Sequence, residues 1–216
     1  MHPRIRLVAI ALLTFTLTSR CAAAFAQQTV GEVTSITGVA KLDRGGNEVD
    51  LKLSMPIEIR DRLRTTAKAE LTVTFRDGSK LVLSESSSYT VDQYAMTATT
   101  RRQALIRLWI GHLRAIVKME SGAPNFQVHT PNAVEVARGT EFETAYIADR
   151  PCPEDRSCMR YTTVGVFHGV VEVANISNPA QAVRVTEGYE TTVACESPAT
   201  SPAPLGMEEM GAPGYH

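Results

Sequence analysis

Apolar and polar residues alternate in short runs along most of the chain, and turns rich in glycine, aspartate and asparagine separate these runs. Leu71, Val73 and Phe75 illustrate the pattern, since a threonine stands between each pair. A period of two is typical of β-strands that bury one face. Similar runs recur between residues 30 and 193. The pattern predicts a single elongated all-β domain over residues 29–194, with many short strands in a twisted sandwich or a solenoid-like arrangement.

The segment Leu105–Val117 fits two interpretations. Its leucines, Trp109 and its last apolar residues recur at helical spacing. However, Gly111 in the middle of a helix costs about 1 kcal/mol, and Ile106 and Ile110 do not fit the apolar face. The same residues also fit two strands that are interrupted at Gly111. The pattern alone leaves helix and strand equally open.

The dipeptide Asp77–Gly78 is a strong signal for a β-hairpin. A two-residue turn there would pair Phe75 with Lys80 and Thr74 with Leu81, which mixes polar and apolar side chains on one face. A longer loop, a bulge or a corner between stacked sheets would avoid this conflict. We favour the corner or the longer loop.

The first residues have the three parts of a secretory signal peptide. Arg4 and Arg6 are positive, residues 7–17 are almost wholly apolar, and Ala24–Ala26 is an A-x-A site. The apolar run is shorter than the roughly 20 residues that a membrane span needs. We therefore predict a signal peptide over residues 1–26, cleavage after Ala26, and a mature periplasmic protein with no transmembrane segment.

The last residues differ from the rest of the chain. Residues 195–216 contain several prolines together with serine, alanine and glycine, and they show no hydrophobic periodicity. Such a segment has little apolar surface with which to join a core. It is predicted to be a flexible, disordered tail.

Three cysteines follow the predicted cleavage site, and export permits disulfides. Cys152 and Cys158 flank a polar loop, and a disulfide between them should contribute about 2 kcal/mol. Cys195 is then unpaired, joins another molecule, or displaces one partner. A zinc site would need further ligands at suitable spacing, which the sequence does not offer.

Composition and motifs do not indicate catalysis. The formal net charge of −1 argues against a nucleic-acid partner, which needs a basic face. The chain has no G-x-S-x-G motif, and His112, His129 and His168 are too scattered to form an acid/base set. Glu141 and Glu143 could share one side of a strand, but alternating glutamates are ordinary on an exposed face. We expect no catalytic residue, no metal and no cofactor.

Two motifs stand out. The first is Asp77-Gly78-Ser79, inside an F-x-D-G-S pattern. The second is Thr130-Pro131 followed by Arg138-Gly139-Thr140-Glu141-Phe142. With the segment Asp61–Thr65, they resemble the FecR domain of bacterial envelope proteins over residues 30–193. The resemblance implies an all-β periplasmic domain, and it favours strands in Leu105–Val117.

The family resemblance also bears on function. The FecR regulators proper carry a cytoplasmic anti-sigma segment and a membrane helix ahead of this domain, where the present chain has a signal-like segment. The sigma-factor role is therefore not carried over. We expect a non-enzymatic periplasmic module that makes a sensing or scaffolding contact with an envelope protein. The alternative is a binder of cell-wall glycan or another envelope polysaccharide, through a basic patch of Arg101, Arg102, Arg107 and Arg114.

Arg138 has two readings. Its guanidinium could offer a planar fork to a partner, or it could pin its own turn by pairing with Glu135, Glu141 or Glu143. We favour the structural role. Gly139 is expected where φ is positive or where two backbone segments approach closely.

Overall fold

The structure is a computed structural model, and it describes residues 28–119, 125–153 and 155–206. Strands are the only regular elements among these residues, so the all-β prediction is confirmed. In chain order the strands are β1 (Thr29–Thr37), β2 (Ala40–Arg44), β3 (Asn47–Asp50), β4 (Pro56–Glu58), β5 (Arg62–Thr65), β6 (Glu70–Phe75), β7 (Lys80–Leu83), β8 (Ser88–Met96), β9 (Arg101–Ile116), β10 (Phe126–His129), β11 (Ala133–Ala137), β12 (Glu141–Ala148), β13 (Arg160–His168), β14 (Val170–Asn175), β15 (Val183–Thr186), β16 (Tyr189–Ala194) and β17 (Ala203–Pro204).

The predicted signal peptide lies outside the described residues, so cleavage after Ala26 stays a prediction. Within the described ranges, no helix has the length and apolar character needed to cross a membrane.

The strands form two hydrogen-bonded ladders that share β9. One ladder has the order β4-β1-β6-β7-β9-β12-β13-β16-β17. The other has the order β3-β2-β5-β8-β9-β10-β11-β14-β15. Neighbouring strands are antiparallel except for β9 and β10, which are parallel. One hydrophobic cluster contains side chains from both ladders, so both contribute to a common core.

β9 passes from one ladder to the other at Gly111. Before this residue it pairs with β8 and β10, and from Gly111 onward it pairs with β7 and β12. Gly111 has φ +87°, and a Cβ there would lie 2.6 Å from Cβ of Ser87, so no side chain fits. The strand interpretation of this segment is confirmed.

The crossing interrupts the alternation of buried and exposed positions along β9. Ile106 and Leu108 face the core before the crossing, whereas Leu113 and Ala115 do so after it. The buried positions therefore change from even to odd numbers at Gly111. Leu108 and Leu113 are five residues apart, so no single period of two runs through the segment, and Trp109 and Ile116, which complete the helical spacing, are 41% and 38% exposed.

The hairpin between β6 and β7 has a longer loop, as one of the two favoured alternatives predicted. Thr74 pairs with Lys80 and Val73 with Leu81, and the backbone N–H of Phe75 donates to O of Ser79 at 2.8 Å. Three residues, 76–78, therefore form the loop. This register places the buried Val73 beside the buried Leu81, which a two-residue turn would not.

The predicted tail boundary after residue 194 needs correction for residues 195–206, which pack against the domain. The backbone N–H of Thr200 donates to O of Thr192 at 2.9 Å. β17 pairs with β16, and Ala199 is 9% exposed and belongs to the core cluster. The segment lies along one edge of the ladder and buries a single small side chain, so hydrophobic periodicity could not reveal it. Residues 207–216 lie outside the described residues.

Candidate functional site

The Asp-Gly-Ser motif is part of a buried polar network centred on Arg101. The side chains of Arg101 and Asp77 are fully buried and form an ion pair. The Arg101 guanidinium also donates to Oγ of Ser79 and to Oδ1 of Asn125, both at 3.0 Å, and it lies over the ring of Phe126 at 5.4 Å. Burial of this charge is tolerated because several acceptors surround it.

Ser79 connects this network to the end of β9. Its hydroxyl donates to Oδ2 of Asp77 at 2.7 Å and accepts from the backbone N–H of Lys118 at 3.0 Å. The Tyr94 hydroxyl donates to Oδ1 of Asp77 at 3.1 Å. Burial, together with the nearby Asp77 carboxylate, raises the pKa of Tyr94 above its ordinary value. The motif thus fixes the hairpin loop against the chain that follows β9.

The Thr-Pro part of the second motif is hydrogen-bonded to strands β13 and β16. Thr130 and Asn132 are buried, and Pro131 between them is exposed. The Thr130 hydroxyl lies 2.7 Å from that of Thr162, which donates to Oδ1 of Asn132 at 2.6 Å. The amide of Asn132 then donates to O of Val193 at 2.7 Å. This chain of hydrogen bonds ties the turn to β13 and β16.

The Arg-Gly-Thr turn lies against the residues that follow β9. Gly139 has φ +61°, and a Cβ there would lie 2.7 Å from Cε of Met119. The position therefore requires glycine both for its positive φ and for the close approach of Met119. The backbone N–H of Val117 donates to O of Thr140 at 2.8 Å. Thr140 is buried, whereas Arg138 is exposed.

The two motifs meet at one groove of about 470 Å³. Its lining comprises Gly78, Lys80, Ile116, Val117, Lys118, Met119, Gly139 and His168. The first motif supplies Gly78 and the second supplies Gly139. Four neighbouring strands of one ladder place Lys80, Ile116, Glu141 and His168 in a single row across the sheet.

The groove combines apolar surface with basic groups. Met119 is 68% exposed and Ile116 is 38% exposed, while Lys80 and Lys118 are exposed beside them. Exposed apolar side chains that lie together in a concave surface are typical of an interaction site. Lys80 and Lys118 give this surface a positive local charge.

Carboxylates near the groove already have side-chain partners. Arg114 lies 2.6 Å from Oε1 of Glu141, and His168 lies 3.1 Å from Oε2 of Glu187. These pairs leave the charge of the two lysines uncompensated by Glu141 and Glu187. The groove therefore suits an apolar side chain accompanied by an acidic group.

A second groove of about 430 Å³ lies beyond the other side of the β6–β7 hairpin. Strands β1, β4 and β6 contribute to its lining, which is Thr29, Gly31, Glu32, Ser54, Pro56, Thr74, Phe75 and Arg76. Phe75 and Arg76 of the F-x-D-G-S pattern contribute to this lining, but the Arg-Gly-Thr motif does not, so the groove where both motifs meet is the stronger candidate.

The expected basic patch is not formed, because its four arginines have different environments. Arg101 is buried, and Arg107 donates to Oδ2 of Asp92 at 2.7 Å. Arg114 pairs with Glu141 and lies over the ring of Phe167 at 4.3 Å, while Arg102 is exposed. Sequence reasoning misplaced Arg101 because its partners come from distant parts of the chain.

Glu135, which lies between the two parts of the second motif, is fully buried. Its Oε1 accepts from the Thr144 hydroxyl at 2.6 Å, and its Oε2 has no hydrogen-bond partner among the described residues. Burial raises the pKa of Glu135 to about 8, and the hydrogen bond from Thr144 opposes this shift. Val134 and Val136 of β11 share one face and are half-buried, whereas Glu135 shares the other face with the buried Ala133 and Ala137, so the alternation alone does not reveal that Glu135 faces the core.

The three cysteines after the predicted cleavage site lie together. Their sulfur atoms are all within 4.8 Å of one another. The Cα atoms of Cys158 and Cys152 are 5.5 Å apart, and those of Cys158 and Cys195 are 5.8 Å apart. Both distances suit a disulfide, and Cys158 has both partners within bonding reach. The pairing of Cys152 with Cys158 stays a prediction, because Cys158 can bond only one of them at a time.

Taken together, these features define an all-β domain in which two short motifs fix the walls of one surface groove. The model of the family described as FecR protein matches residues 61–172, which is slightly more than half of the chain. The chain therefore belongs to the FecR family. The match includes both motifs and the whole of β9.

Two similar crystal structures, at 2.50 and 1.65 Å resolution, are of a candidate anti-sigma factor from Parabacteroides distasonis. Each is 19% identical over 66% of this chain, with a TM-score of 0.49. The present chain spans 59% of that protein's length. A cell surface anchoring domain is 27% identical over 28% of this chain and 82% of its own length, with a TM-score of 0.28. Comparison with curated proteins finds no significant match.

Proposed function

We propose that this protein is a non-enzymatic periplasmic module that binds an envelope protein through the groove between its two motifs. The contact serves sensing or scaffolding. The single observation that carries the proposal is the convergence of both family motifs on a concave surface with exposed apolar residues, Ile116 and Met119. Membership in the FecR family, whose regulators work at the envelope, supports the same conclusion.

The buried network gives the groove a fixed shape. Oγ of Ser79 accepts from the backbone N–H of Lys118, and the Arg101 guanidinium donates to O of Lys118 at 3.2 Å and to Oγ of Ser79 while it pairs with Asp77. Thr140 holds Val117 through the hydrogen bond between their backbones. Both walls are thus set before any partner binds, which lowers the entropic cost of binding.

The groove favours a peptide segment with an apolar side chain and a nearby carboxylate. Ile116 and Met119 offer adaptable apolar contacts, and methionine surfaces accommodate varied side chains. Lys80 and Lys118 would meet the carboxylate. The signal-like N-terminus supports a periplasmic setting for this encounter.

Site-specific photocrosslinking in the native host tests the proposal. A photoreactive residue at Met119 should give one defined crosslinked protein, and one at Val49 serves as the control. Val49 is 45% exposed on β3, an edge strand remote from the groove in the ladder order. Adding Lys118→Glu should strongly reduce the crosslink from position 119. Equal crosslinking from both positions, or no effect of Lys118→Glu, would contradict the proposal.

Trp109 favours a second candidate function, the binding of an envelope polysaccharide. Its side chain is 41% exposed, and its indole N–H donates to Oγ1 of Thr90 at 2.7 Å. Arg62 and Arg107 lie over the ring at 5.4 and 5.5 Å. An aromatic ring with cationic neighbours could bind an anionic sugar. Quenching of tryptophan fluorescence by purified envelope glycan, lost in Arg62→Ala, would support this candidate.

A further inference from the structure

The three sulfur atoms of Cys152, Cys158 and Cys195 meet between the loop before β13 and the end of β16. Cys158 lies within bonding reach of both other cysteines. An odd number of cysteines leaves one thiol in the cluster when a disulfide is present. Here that thiol remains beside the disulfide.

Backbone hydrogen bonds hold the three residues together independently of any sulfur bond. The N–H of Cys152 donates to O of Cys158 at 2.8 Å, and the N–H of Cys158 donates to O of Asp155 at 3.0 Å. The N–H of Cys195 donates to O of Arg160 at 3.0 Å. The cluster therefore persists whichever pair of cysteines is bonded.

Cys195 is fixed further by a buried amide. Nδ2 of Asn175, which is 1% exposed, donates to O of Cys195 at 3.0 Å. Cys195 has φ +44°, a left-handed conformation that is uncommon outside glycine and asparagine. Asn175 also donates to O of Ser197 at 2.9 Å, so it fixes the backbone on both sides of this conformation. The architecture thus positions the third sulfur beside the other two.

We propose that Cys152, Cys158 and Cys195 form a disulfide-exchange site in which Cys158 alternates between its two partners. The Cys195 thiolate attacks Sγ of Cys158, the Cys158–Cys152 bond breaks, and the Cys152 thiolate leaves and takes up a proton. The reverse step restores the first pairing. The exchange conserves electrons, and it starts when an external disulfide oxidises two of the thiols and is itself reduced to two thiols.

The two pairings leave different cysteines as the free thiol. Cys152 is 2% exposed and Cys158 is 4% exposed, whereas Cys195 is only partly buried. The Cys152–Cys158 pairing leaves the accessible Cys195 thiol, and the Cys158–Cys195 pairing leaves the protected Cys152 thiol. The ligand class of the site is therefore a small or protein disulfide, which Cys195 attacks to form a mixed disulfide while a thiol is released.

The surroundings favour thiol and disulfide chemistry over a metal. The carbonyl oxygen of Arg160 lies 3.3 Å from Sγ of Cys152 and 2.9 Å from Sγ of Cys158. A carbonyl oxygen accepts from an S–H group, so it favours protonation of the Cys152 sulfur once it has left as a thiolate, whereas a metal site would need lasting thiolates at both positions. Arg160 therefore disfavours a soft-metal site, which three thiolates could otherwise form.

Peptide mapping of the full chain tests the proposal. Arg156 lies between the first two cysteines of the cluster and Arg160 lies before the third, so trypsin places each on its own peptide. The protein carries Cys21→Ser, is oxidised with oxidised glutathione, and is quenched with acid before digestion. Both the Cys152–Cys158 and the Cys158–Cys195 peptide pairs are expected in one preparation. A single pairing would overturn the proposal, as would three reduced cysteines with bound metal in native mass spectrometry.

Alkylation of the same native protein distinguishes exchange from a static mixture. With exchange, iodoacetamide at pH 8 should label Cys195 in nearly every chain, because each modification draws the remaining molecules into the Cys152–Cys158 pairing. Labelling that stops at the starting fraction of this pairing, or that modifies Cys152 instead, would show that no exchange occurs. This readout needs no substitution within the cluster and so does not depend on the folding of such a variant.

Two serine variants supply matched controls. Cys195→Ser should hold the Cys152–Cys158 disulfide, and Cys152→Ser should hold the Cys158–Cys195 disulfide. Neither oxidised variant should take up iodoacetamide. The inference is independent of the proposed partner groove, since no cysteine lines that groove.

Discussion

Arg101 and Asp77, which are 24 positions apart in the sequence, form an ion pair with both side chains fully buried. This pair joins the loop of the β6–β7 hairpin to the first residue of the longest strand. It explains the Asp-Gly-Ser motif structurally, because Asp77 and Ser79 are the acceptors that a buried guanidinium requires. The groove above them depends on this pair, since Lys118 is held by Ser79.

Removing one member of the pair should strongly destabilise the protein. Arg101→Met leaves the buried Asp77 carboxylate without its cation, and such a change typically costs about 3–5 kcal/mol. We expect urea unfolding to report a loss of this size. The double variant Arg101→Met, Asp77→Asn is the control, and it should lose less because no uncompensated charge remains. Equal losses in both proteins would contradict this account.

Glu135 should make stability depend on pH in the direction opposite to that of most carboxylates. Its pKa is raised from 4.5 to about 8 by burial, so the folded protein holds a proton that the unfolded chain has released at intermediate pH. The contribution of Glu135 to the free energy of unfolding is fully present below pH 4.5. It falls as the pH rises toward 8, by up to about 1.4 kcal/mol per pH unit.

The control for this effect is Glu135→Gln, which keeps an acceptor for Thr144 but cannot ionise. The difference in unfolding free energy between variant and wild type should grow from pH 5 to pH 8 in favour of the variant. A difference that does not change with pH would show that Glu135 is ionised in the folded protein.

The parts of the fold that depend on local alternation could be predicted from the sequence. Leu71, Val73 and Phe75 indicate a strand because each side chain faces the same sheet surface as its second neighbour. The hairpin register was predictable for the same reason, since pairing Thr74 with Leu81 would mix the two faces. Local rules suffice where the partner is a sequence neighbour.

Other features depend on partners that local patterns cannot specify. Arg101 looks like a surface residue until Asp77 is placed beside it by the ladder. The buried positions of β9 change phase at Gly111, and only the neighbouring strands reveal the crossing. Ala199 is buried by the edge of β16, so its proline-rich surroundings resemble a flexible tail. The groove is non-local for the same reason, because its walls come from separate motifs.

Truncation should separate residues 196–206 from the last ten residues. Deleting residues 196–216 removes the hydrogen bond from Thr200 to Thr192, the pairing of β17 and the buried Ala199. We expect a loss of about 1–3 kcal/mol from these hydrogen bonds and the lost burial. Deleting residues 207–216 is the control and should have little effect, since this segment offers few apolar side chains. Equal thermal midpoints for both truncations would contradict the extended boundary.

Arg138→Ala should separate the structural and partner roles of this residue. Because Arg138 is exposed, the loss of unfolding free energy should not exceed about 1 kcal/mol, as for other exposed charges. Arg138→Lys keeps the positive charge but loses the planar guanidinium, so it tests whether that planar geometry is needed. A stable Arg138→Ala protein that no longer crosslinks from position 119 would assign Arg138 to the partner contact. A loss of several kcal/mol would instead support the structural role favoured by the sequence.

Gly139→Ala should disturb the groove as well as the turn. Alanine at φ +61° is strained, and its Cβ would lie 2.7 Å from Cε and 2.9 Å from Sδ of Met119. The matched control is Gly45→Ala, at φ +62° with no atom within 4 Å of the added Cβ, which measures the backbone strain alone. That strain should cost about 1–2 kcal/mol, and Gly139→Ala should cost more because Met119 must move. Adding Met119→Ala should return the loss to the level of Gly45→Ala, as measured by urea unfolding. If Gly139→Ala and Gly45→Ala lose the same free energy, the contact between the Arg-Gly-Thr turn and the groove wall does not constrain either.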